Sequence, residues 1–253
     1  VVPHQQDFAV VIAQLLEHGL LSASFVPARP QRELRDLTRQ RTQLLGDRSR
    51  VLNRVHKTLE SSNFKLGSIF SDIGGASGTR VLNALVEGKL SSDQMVELVD
   101  RRMEDKKPAL KLALAGTMNE HHRFMLRQLL EQIGHIDKQI DAFDLRIEEV
   151  MSPLEKQMVA KLDEVPGLDV RSGQNIIAEI GADMSRFPSA AHLASWAGLC
   201  PGNNQSGGKR KNGKTRKANR WLKTALTQAA WGASRTRKSH FAARHRRLSQ
   251  RRG

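Results

Sequence analysis

The stretch PALKLALAGTMNEHHRFMLRQLLEQIGHIDKQIDAFDLRIEEV, residues 108–150, carries apolar residues at alternating spacings of three and four. This is the heptad pattern of a helix that buries one seam along its length. The seam residues are Leu110, Leu114, Met118, Met125, Leu129, Ile133, Ile136, Ile140, Phe143, Ile147 and Val150. We therefore predict one helix of about 60 Å, at 1.5 Å per residue, that begins at Pro108 and makes the chain mainly α.

A helix of this length needs a partner, and the sequence leaves two partners open. Residues 32–59 carry apolar side chains at the same spacing, so the long helix either folds back on this segment or pairs with another copy of the chain. The second alternative predicts that copies of the chain associate through the long helices. The other face of 32–59 is rich in arginine and is either solvated or in contact with phosphates. Those arginines are Arg35, Arg39, Arg41, Arg48, Arg50 and Arg54.

Shorter elements are predicted before and between these helices. Residues 8–21 form an apolar helix and 24–27 a strand-like segment, and together they are too short to bury a core, so we expect the remnant of a truncated α/β domain. The Gly- and Ser-rich segment 64–79 is predicted to be a loop or hinge. Helices follow near 80–87 and from Ser92.

A compact C-terminal module is predicted after Pro153. Its helices start at Leu154 and span about 172–179, 190–196 and 216–234. The segment PGLDVRSGQNIIAEIG, residues 166–181, has the pattern of a helix–hairpin–helix, in which the Pro166-Gly167 turn brings backbone N–H groups to a DNA phosphate. The alternative is an ordinary turn between two helices.

We thus expect a mainly α chain divided into four parts. These are the end of a truncated α/β domain (1–29), a long coiled-coil helical middle (30–152), a small helical C-terminal domain with the helix–hairpin–helix element (153–236) and a basic tail (237–253).

Composition excludes several classes of protein. The single cysteine, Cys200, rules out an intramolecular disulfide framework and a multi-cysteine zinc module. No apolar run reaches the ~18 residues of a membrane helix. We predict a soluble, cytoplasmic protein that associates with the nucleoid.

Charge is the strongest compositional signal. The net charge of +15 comes from 41 Lys and Arg against 26 Asp and Glu, and residues 206–253 hold 16 of the basic residues and no acid. The whole excess therefore lies in the last 48 residues. Such a segment favours a polyanionic partner, DNA or RNA, because neutralised phosphates release their counterions. A solvated tail or a membrane-surface patch is the alternative.

The loop NNQSGGKRK, residues 203–211, combines an accessible hydroxyl with small residues and three cations. A serine that attacks a phosphodiester needs access and nearby positive charge, so Ser206 is the candidate nucleophile. The alternative is a flexible basic loop that grips phosphate without covalent chemistry. We assign no metal ligands, because the acids are dispersed without a D-x-D or H-x-E pair, and we interpret Cys200 as a buried apolar residue.

Two segments resemble a known family. The run from LDEVPGLDVRSGQNIIAEIG to KANRWLKTALTQAAW, residues 162–231, is similar to the C-terminal domain of IS110-type insertion-sequence transposases, and HGLLSASFVPARPQRELRDLTRQRTQLLGDRSRVLNRVHKTLE, residues 18–60, resembles the join between their RuvC-like domain and helical middle. The resemblance covers nearly the whole chain.

The resemblance implies a DNA recombinase with two cooperating parts. In this family a RuvC-like domain holds Mg²⁺ with four acids, and a serine, which maps onto Ser206, becomes covalently linked to DNA. Several members use a structured guide RNA, and their long helices assemble dimers and tetramers. Together with the turn and loop patterns above, it makes the following residues candidate nucleic-acid contacts: Pro166, Gly167, Gln205, Gly207, Lys209, Arg210, Lys211, Lys214, Arg216, Lys217 and Arg220.

The sequence departs from the family at the metal site. The first two acids would lie before Val1, and the D-x-x-D places hold Gln5 and Phe8, with Asp7 out of step. We therefore expect Mg²⁺ in the intact family enzyme but assign no metal site here. The expected function is DNA transposition by a serine nucleophile, and the alternative is a non-catalytic DNA- or RNA-binding remnant.

Overall fold

The computed structural model describes residues 5–20, 26–202, 204–215 and 217–252, and over these residues the chain is mainly α, as predicted. The described part contains eleven α-helices, one two-stranded hairpin and three short 3-10 helices, Leu66–Ser68, Arg101–Lys106 and Met184–Arg186. The α-helices and strands are α1 Gln5–Glu17, α2 Arg29–Ser61, α3 Ala76–Glu87, α4 Ser92–Val96, α5 Lys107–Ala113, α6 Glu120–Val150, α7 Pro153–Asp163, α8 Val170–Ile180, α9 Ala190–Trp196, β1 Asn204–Ser206, β2 Lys209–Asn212, α10 Arg220–Arg235 and α11 His240–Arg252.

The long helix α6 folds back on α2 within the same chain. Arg41 Nη1 lies 2.7 Å from Asp144 Oδ1, and Arg48 Nε lies 2.6 Å from Asp137 Oδ1. The two pairs run in opposite directions along the helices, so the pair is antiparallel. Its seam buries Leu126, Leu129, Ile133, Ile136, Ile140 and Ile147 of α6. The first of the two predicted partners is therefore confirmed.

The prediction of one unbroken helix from Pro108 to Val150 is wrong in its first third. Helix α5 ends at Ala113 and α6 begins at Glu120. A Cβ on Gly116 would lie 2.6 Å from Phe64 Cδ2, and Thr117 N donates to Ser62 O at 3.1 Å. This linker is thus held against the end of α2 by contacts that only glycine permits.

The predicted seam also differs near the start of α6. The side chain of Asn119 caps this helix by accepting from His122 N at 2.9 Å, so α6 begins at Glu120. Within α6, Leu126 is fully buried, whereas Met125, which was predicted to lie in the seam, is 40% exposed.

The Gly- and Ser-rich segment 64–79 is anchored in the core. Phe64, Leu66, Phe70 and Ile73 are buried together with α3 and the α2–α6 pair. Helix α3 begins at Ala76, earlier than predicted, and the segment between α2 and α3 is an ordered loop.

A second apolar cluster lies at the other end of the α2–α6 pair. Leu34 of α2 and Ile147 of α6 pack there with helices α7, α8 and α10, whose buried residues include Ile176, Ile177 and Leu222. Helices α2 and α6 therefore contribute buried residues to both apolar clusters. The division into four parts stays a prediction.

The chain before α2 shows one helix among its described residues. Helix α1 exposes Phe8, Val10, Val11, Ile12 and Leu16, and Val26 and Pro27 are not in a strand. The remaining residues of the predicted strand-like segment, 24–25, lie outside the described residues. No helix in the described ranges is long and apolar enough to cross a membrane.

Gly167 provides a test of how the C-terminal helices pack. It adopts φ +89°, and a Cβ there would lie 2.8 Å from Ala233 Cα in α10. We expect Gly167→Ala to lower the free energy of unfolding by about 2–4 kcal/mol, from left-handed strain and overpacking together. Urea or thermal unfolding of the full chain measures it.

The matched control is Gly134→Ala, because Gly134 lies in α6 and no atom lies within 4 Å of the position that its Cβ would take. That change should stabilise the chain by about 1 kcal/mol through helix propensity. An equal effect of the two substitutions would contradict the packing role of Gly167.

Candidate nucleic-acid interface

The loop that carries Ser206 folds into a β-hairpin. Strands β1 and β2 are antiparallel, with Ser206 opposite Lys209, and the turn between them is Gly207-Gly208. Both glycines have positive φ, +57° and +75°, which is the turn that matches the twist of a tight hairpin. The local sequence S-G-G-K therefore dictates the hairpin tip.

Ser206 stands exposed at this tip. Cross-strand partners project from the same face of a hairpin, so the Ser206 hydroxyl and the exposed Lys209 ammonium share one face. Nothing lies within 4 Å of the Cβ positions of Gly207 and Gly208. The tip is thus open around its two glycines, and the Ser206 and Lys209 side chains beside them are exposed.

The base of the hairpin is tied to the module. Gly202 N donates to Lys214 O at 2.8 Å, Pro201 and Thr215 form a β-bridge, and Lys223 Nζ of α10 donates to Thr215 Oγ1 at 2.5 Å. The hairpin therefore projects from the N-terminal end of α10.

The other predicted contacts fall in three groups. Lys209, Lys214, Lys217, Arg220 and Gly207 are exposed on or near the hairpin. Arg216 and the side chains of Gln205, Arg210 and Lys211 lie outside the described residues. Pro166 and Gly167 lie in the α7–α8 turn.

The α7–α8 turn is built for packing in this structure. The side of Gly167 where a Cβ would stand faces Ala229 and Ala233 of α10. At the N-terminus of α8, Asp169 Oδ1 accepts from Ser172 N at 2.8 Å. Burial acts to raise the pKa of Asp169, but its hydrogen bonds with Ser172 outweigh burial and the pKa is lowered. A carboxylate held ionised there disfavours a phosphate, so the helix–hairpin–helix role stays a prediction.

A buried carboxylate positions the start of α10. Glu179 of α8 is 2% exposed, and Arg39 of α2 binds it in a bidentate pair, Nε to Oε1 at 2.6 Å and Nη2 to Oε2 at 2.8 Å. Asn219 Nδ2 donates to Glu179 Oε2 at 2.6 Å. The Asn219 Oδ1 in turn accepts from Trp221 N and Leu222 N, both at 3.1 Å, and so caps α10.

One further arginine of α2 completes this connection. Arg35 donates to the carbonyls of Ala178, at 2.9 Å, and of Glu179 at the end of α8. Hydrogen bonding to Glu179 raises the pKa of Arg39, and burial lowers the pKa of Arg35, although both lie far above neutral pH. We name Glu179 with Arg35, Arg39 and Asn219 the Glu179 cluster.

Arg41 forms a second buried connection. It is 1% exposed and donates to Asp144 Oδ1 at 2.7 Å, Gln174 Oε1 at 2.6 Å and Asn175 Oδ1 at 2.9 Å. Burial lowers its pKa. Helices α2, α6 and α8 therefore meet at one guanidinium.

The sequence left two alternatives for the arginine face of α2, solvation or contact with phosphates. Most of these arginines follow neither alternative. Arg35, Arg39, Arg41 and Arg48 bind carboxylates or carbonyls of the same chain, whereas Arg54 is exposed. Sequence reasoning missed Glu179 and Asn219 as their counterparts. The one available signal was a lone acid within the apolar run NIIAEIG, because a buried acid requires a partner.

The described residues do not fit a Mg²⁺ site. Phe8, which the resemblance predicts to stand at one of the D-x-x-D places, has no ligand atom and is 63% exposed on α1. No group of three or more His, Cys, Asp or Glu lies together within the part of the chain that the structure describes. No reaction step is assigned to a metal ion here.

The cap of α10 gives a prediction on stability. Asn219→Ala removes the cap and one hydrogen bond to a buried carboxylate, so we expect a loss of about 1–3 kcal/mol in the free energy of unfolding. Asn83→Ala, at an exposed helical asparagine, is the control and should change it by less than about 0.5 kcal/mol. Equal stabilities of the two variants would argue against the cluster as a support for α10.

Comparison with known families places these elements in context. A family model described as the transposase IS116/IS110/IS902 family matches residues 159–246, which span α8, the hairpin and α10. A second model, the DEDD-type IS110 transposase, matches residues 6–64. No curated protein matches the chain. The two models describe the two ends of one kind of protein and together cover more than half of the residues, so the chain belongs to the IS110-type transposases.

Proposed function

We propose that this chain acts in DNA transposition through the hydroxyl of Ser206, which attacks a DNA phosphodiester. The observation that carries the proposal is the position of Ser206, exposed at the tip of a hairpin and paired across it with Lys209. Membership in a transposase family supports DNA as the substrate.

The hairpin suits a backbone phosphate better than a base edge. Two glycines at the tip allow a close approach, and the nearby charges of Lys209, Lys217 and Arg220 are exposed. Residues 206–253 hold no acid that would repel a phosphate. Phosphate contacts of this kind position DNA without reading its sequence.

The proposed step consumes neither an oxidant nor a nucleotide. Ser206 Oγ gives up its proton to solvent water and forms a bond to phosphorus, while the bond from phosphorus to the DNA 3′ oxygen breaks. That oxygen takes up a proton from water and leaves as a hydroxyl. Lys209 and its neighbours stabilise the charge that develops on the phosphoryl oxygens.

The metal-dependent part of the reaction needs ligands that the described residues lack. The DEDD transposase class is typically dependent on a divalent metal ion. We propose that Mg²⁺ is held by the four acids of a DEDD domain, so the assay of the chemistry includes such a domain and Mg²⁺ with this chain.

The second candidate function is non-covalent binding of DNA or RNA. It is favoured by the charge itself, since no Lys or Arg within 217–251 forms an ion pair with a carboxylate of the described residues. A structured guide RNA would meet the same basic surface. A homodimer or homotetramer would use faces other than the α6 seam, because α2 already covers that seam.

The serine gives the decisive prediction. With a DEDD domain, Mg²⁺ and labelled DNA, the chain should form a covalent adduct that survives denaturing electrophoresis. Ser206→Ala removes the nucleophile and should abolish the adduct while it leaves the affinity for DNA unchanged.

Ser195→Ala is the matched control, because Ser195 is an exposed serine of the same module, and this variant should keep the adduct. An adduct that persists in Ser206→Ala would refute the nucleophile. Binding without an adduct in any variant would favour the second candidate function.

Cations near the hairpin give a prediction on salt dependence. Replacing Lys209, Lys217 and Arg220 by Gln should reduce the slope of log K against log salt for duplex DNA by about 2.7, at about 0.9 per lost phosphate contact. Fluorescence anisotropy over a salt series measures it.

The control for charge alone is the triple change Lys57→Gln, Lys89→Gln and Lys138→Gln, at exposed residues of the helical middle. It alters the net charge equally and should leave the slope unchanged. Equal slopes for the two triple variants would contradict the hairpin as the interface.

A further inference from the structure

Aromatic side chains lie exposed on the last two helices, away from the hairpin. Trp231 of α10 is 56% exposed and Phe241 of α11 is 46% exposed. Large aromatic residues are expensive to leave in water, and only 4% of this chain is aromatic. Their exposure on neighbouring helices marks a surface that needs an explanation.

The rings form one patch. The Trp231 and His245 ring centroids lie 5.9 Å apart, so α11 packs beside the exposed indole. Phe241, His245 and Leu248 follow each other at spacings of four and three, which puts them on one side of α11. Ala242 is buried and fixes which side of α11 faces α10.

Positive charge surrounds this patch. The Arg235 guanidinium lies over the Trp231 ring, 6.0 Å from its centroid. Arg244, Arg247 and Arg251 are exposed on α11, and no carboxylate of the described residues forms an ion pair with them. Both helices lie within 206–253, which holds no acid.

We infer that Trp231, Phe241 and His245 form a stacking platform for unpaired nucleotides, with the arginines of α11 on the strand's phosphates. Aromatic rings bind the π-faces of bases only where the bases are unstacked, and interleaved cations hold the backbone. The inference rests on the proposed function in that the partner is a nucleic acid, but it concerns a different surface and different chemistry from Ser206.

Charge complementarity selects this occupant over an apolar protein groove. The patch is a few rings wide and is bordered by guanidinium groups, which suits a strand that alternates apolar bases with phosphates. A basic helix with exposed Phe and Leu could also lie on an anionic membrane, and the experiment separates the two.

The test uses the full chain and three probes. These are a labelled 12-nucleotide single strand, as DNA and as RNA, a 12-base-pair duplex, and phosphatidylserine vesicles. Trp231→Ala and Phe241→Ala should each weaken single-strand binding by roughly 5- to 150-fold, the range for one lost stacked base. Duplex binding and the salt slope should change little, because no charge is removed.

Trp231→Phe keeps a ring and should restore most of the affinity. Phe124→Ala is the matched control, since Phe124 is a 54% exposed aromatic residue on α6, and it should have no effect. Comparison of the DNA and RNA strands shows which of them the platform prefers.

Four results would overturn the inference. The first is that the chain does not bind the single strand, and the second is that both alanine variants bind it with unchanged affinity. The third is an equal loss of affinity for duplex and single strand, which would indicate electrostatic attachment alone, and the fourth is a loss of binding to the vesicles only. None of them bears on the Ser206 adduct, so the two proposals fail independently.

Discussion

The buried carboxylate of Glu179 is the point at which the long helices and the C-terminal module are joined. One acid on α8 binds Arg39 of α2 through both oxygens and also accepts from Asn219, which caps α10. An ionised carboxylate in the protein interior is tolerated only when such partners satisfy it. Three helices are therefore held in one arrangement by a single charge.

That arrangement determines where the hairpin stands. The chain leaves α9, forms the hairpin and returns to Asn219, so the cap of α10 fixes one end of the loop and the bond from Lys223 to Thr215 steadies its base. At the Ser206 tip, no atom lies within 4 Å of the positions that Cβ atoms would take on Gly207 and Gly208. A rigid base with an open tip is the geometry expected of a loop that receives a bulky substrate.

Both apolar packing and ion pairs hold α2 and α6 together. The seam of α6 is apolar and covered by α2, while Arg41 and Arg48 bind Asp144 and Asp137 beside it. Apolar side chains that interdigitate along the seam hold the helices together. Charged pairs between specific positions restrict the register further, since a slip of one turn would leave the guanidinium of Arg41 buried without a partner.

Much of this molecule follows from local sequence. Heptad spacing predicted the long helices, the S-G-G-K run predicted an accessible serine beside cations, and the acid-free segment 206–253 predicted a polyanionic partner. These features depend on periodicity, turn chemistry and net charge, and residues that are close together in the sequence are enough to determine all three. The family resemblance drawn from the same residues is confirmed by the two matching models.

Only the tertiary structure decided the rest, because the partners are far apart in the chain. The break before α6 depends on Gly116 meeting Phe64, the role of Gly167 on its contact with Ala233, and the arginine face of α2 on Glu179, about 140 residues away. No local pattern identifies which distant group will pair with a buried charge or allow a close approach of two backbones. These partners are determined when the helices pack, because an unpaired ion or an overlapping atom raises the free energy only in the packed state.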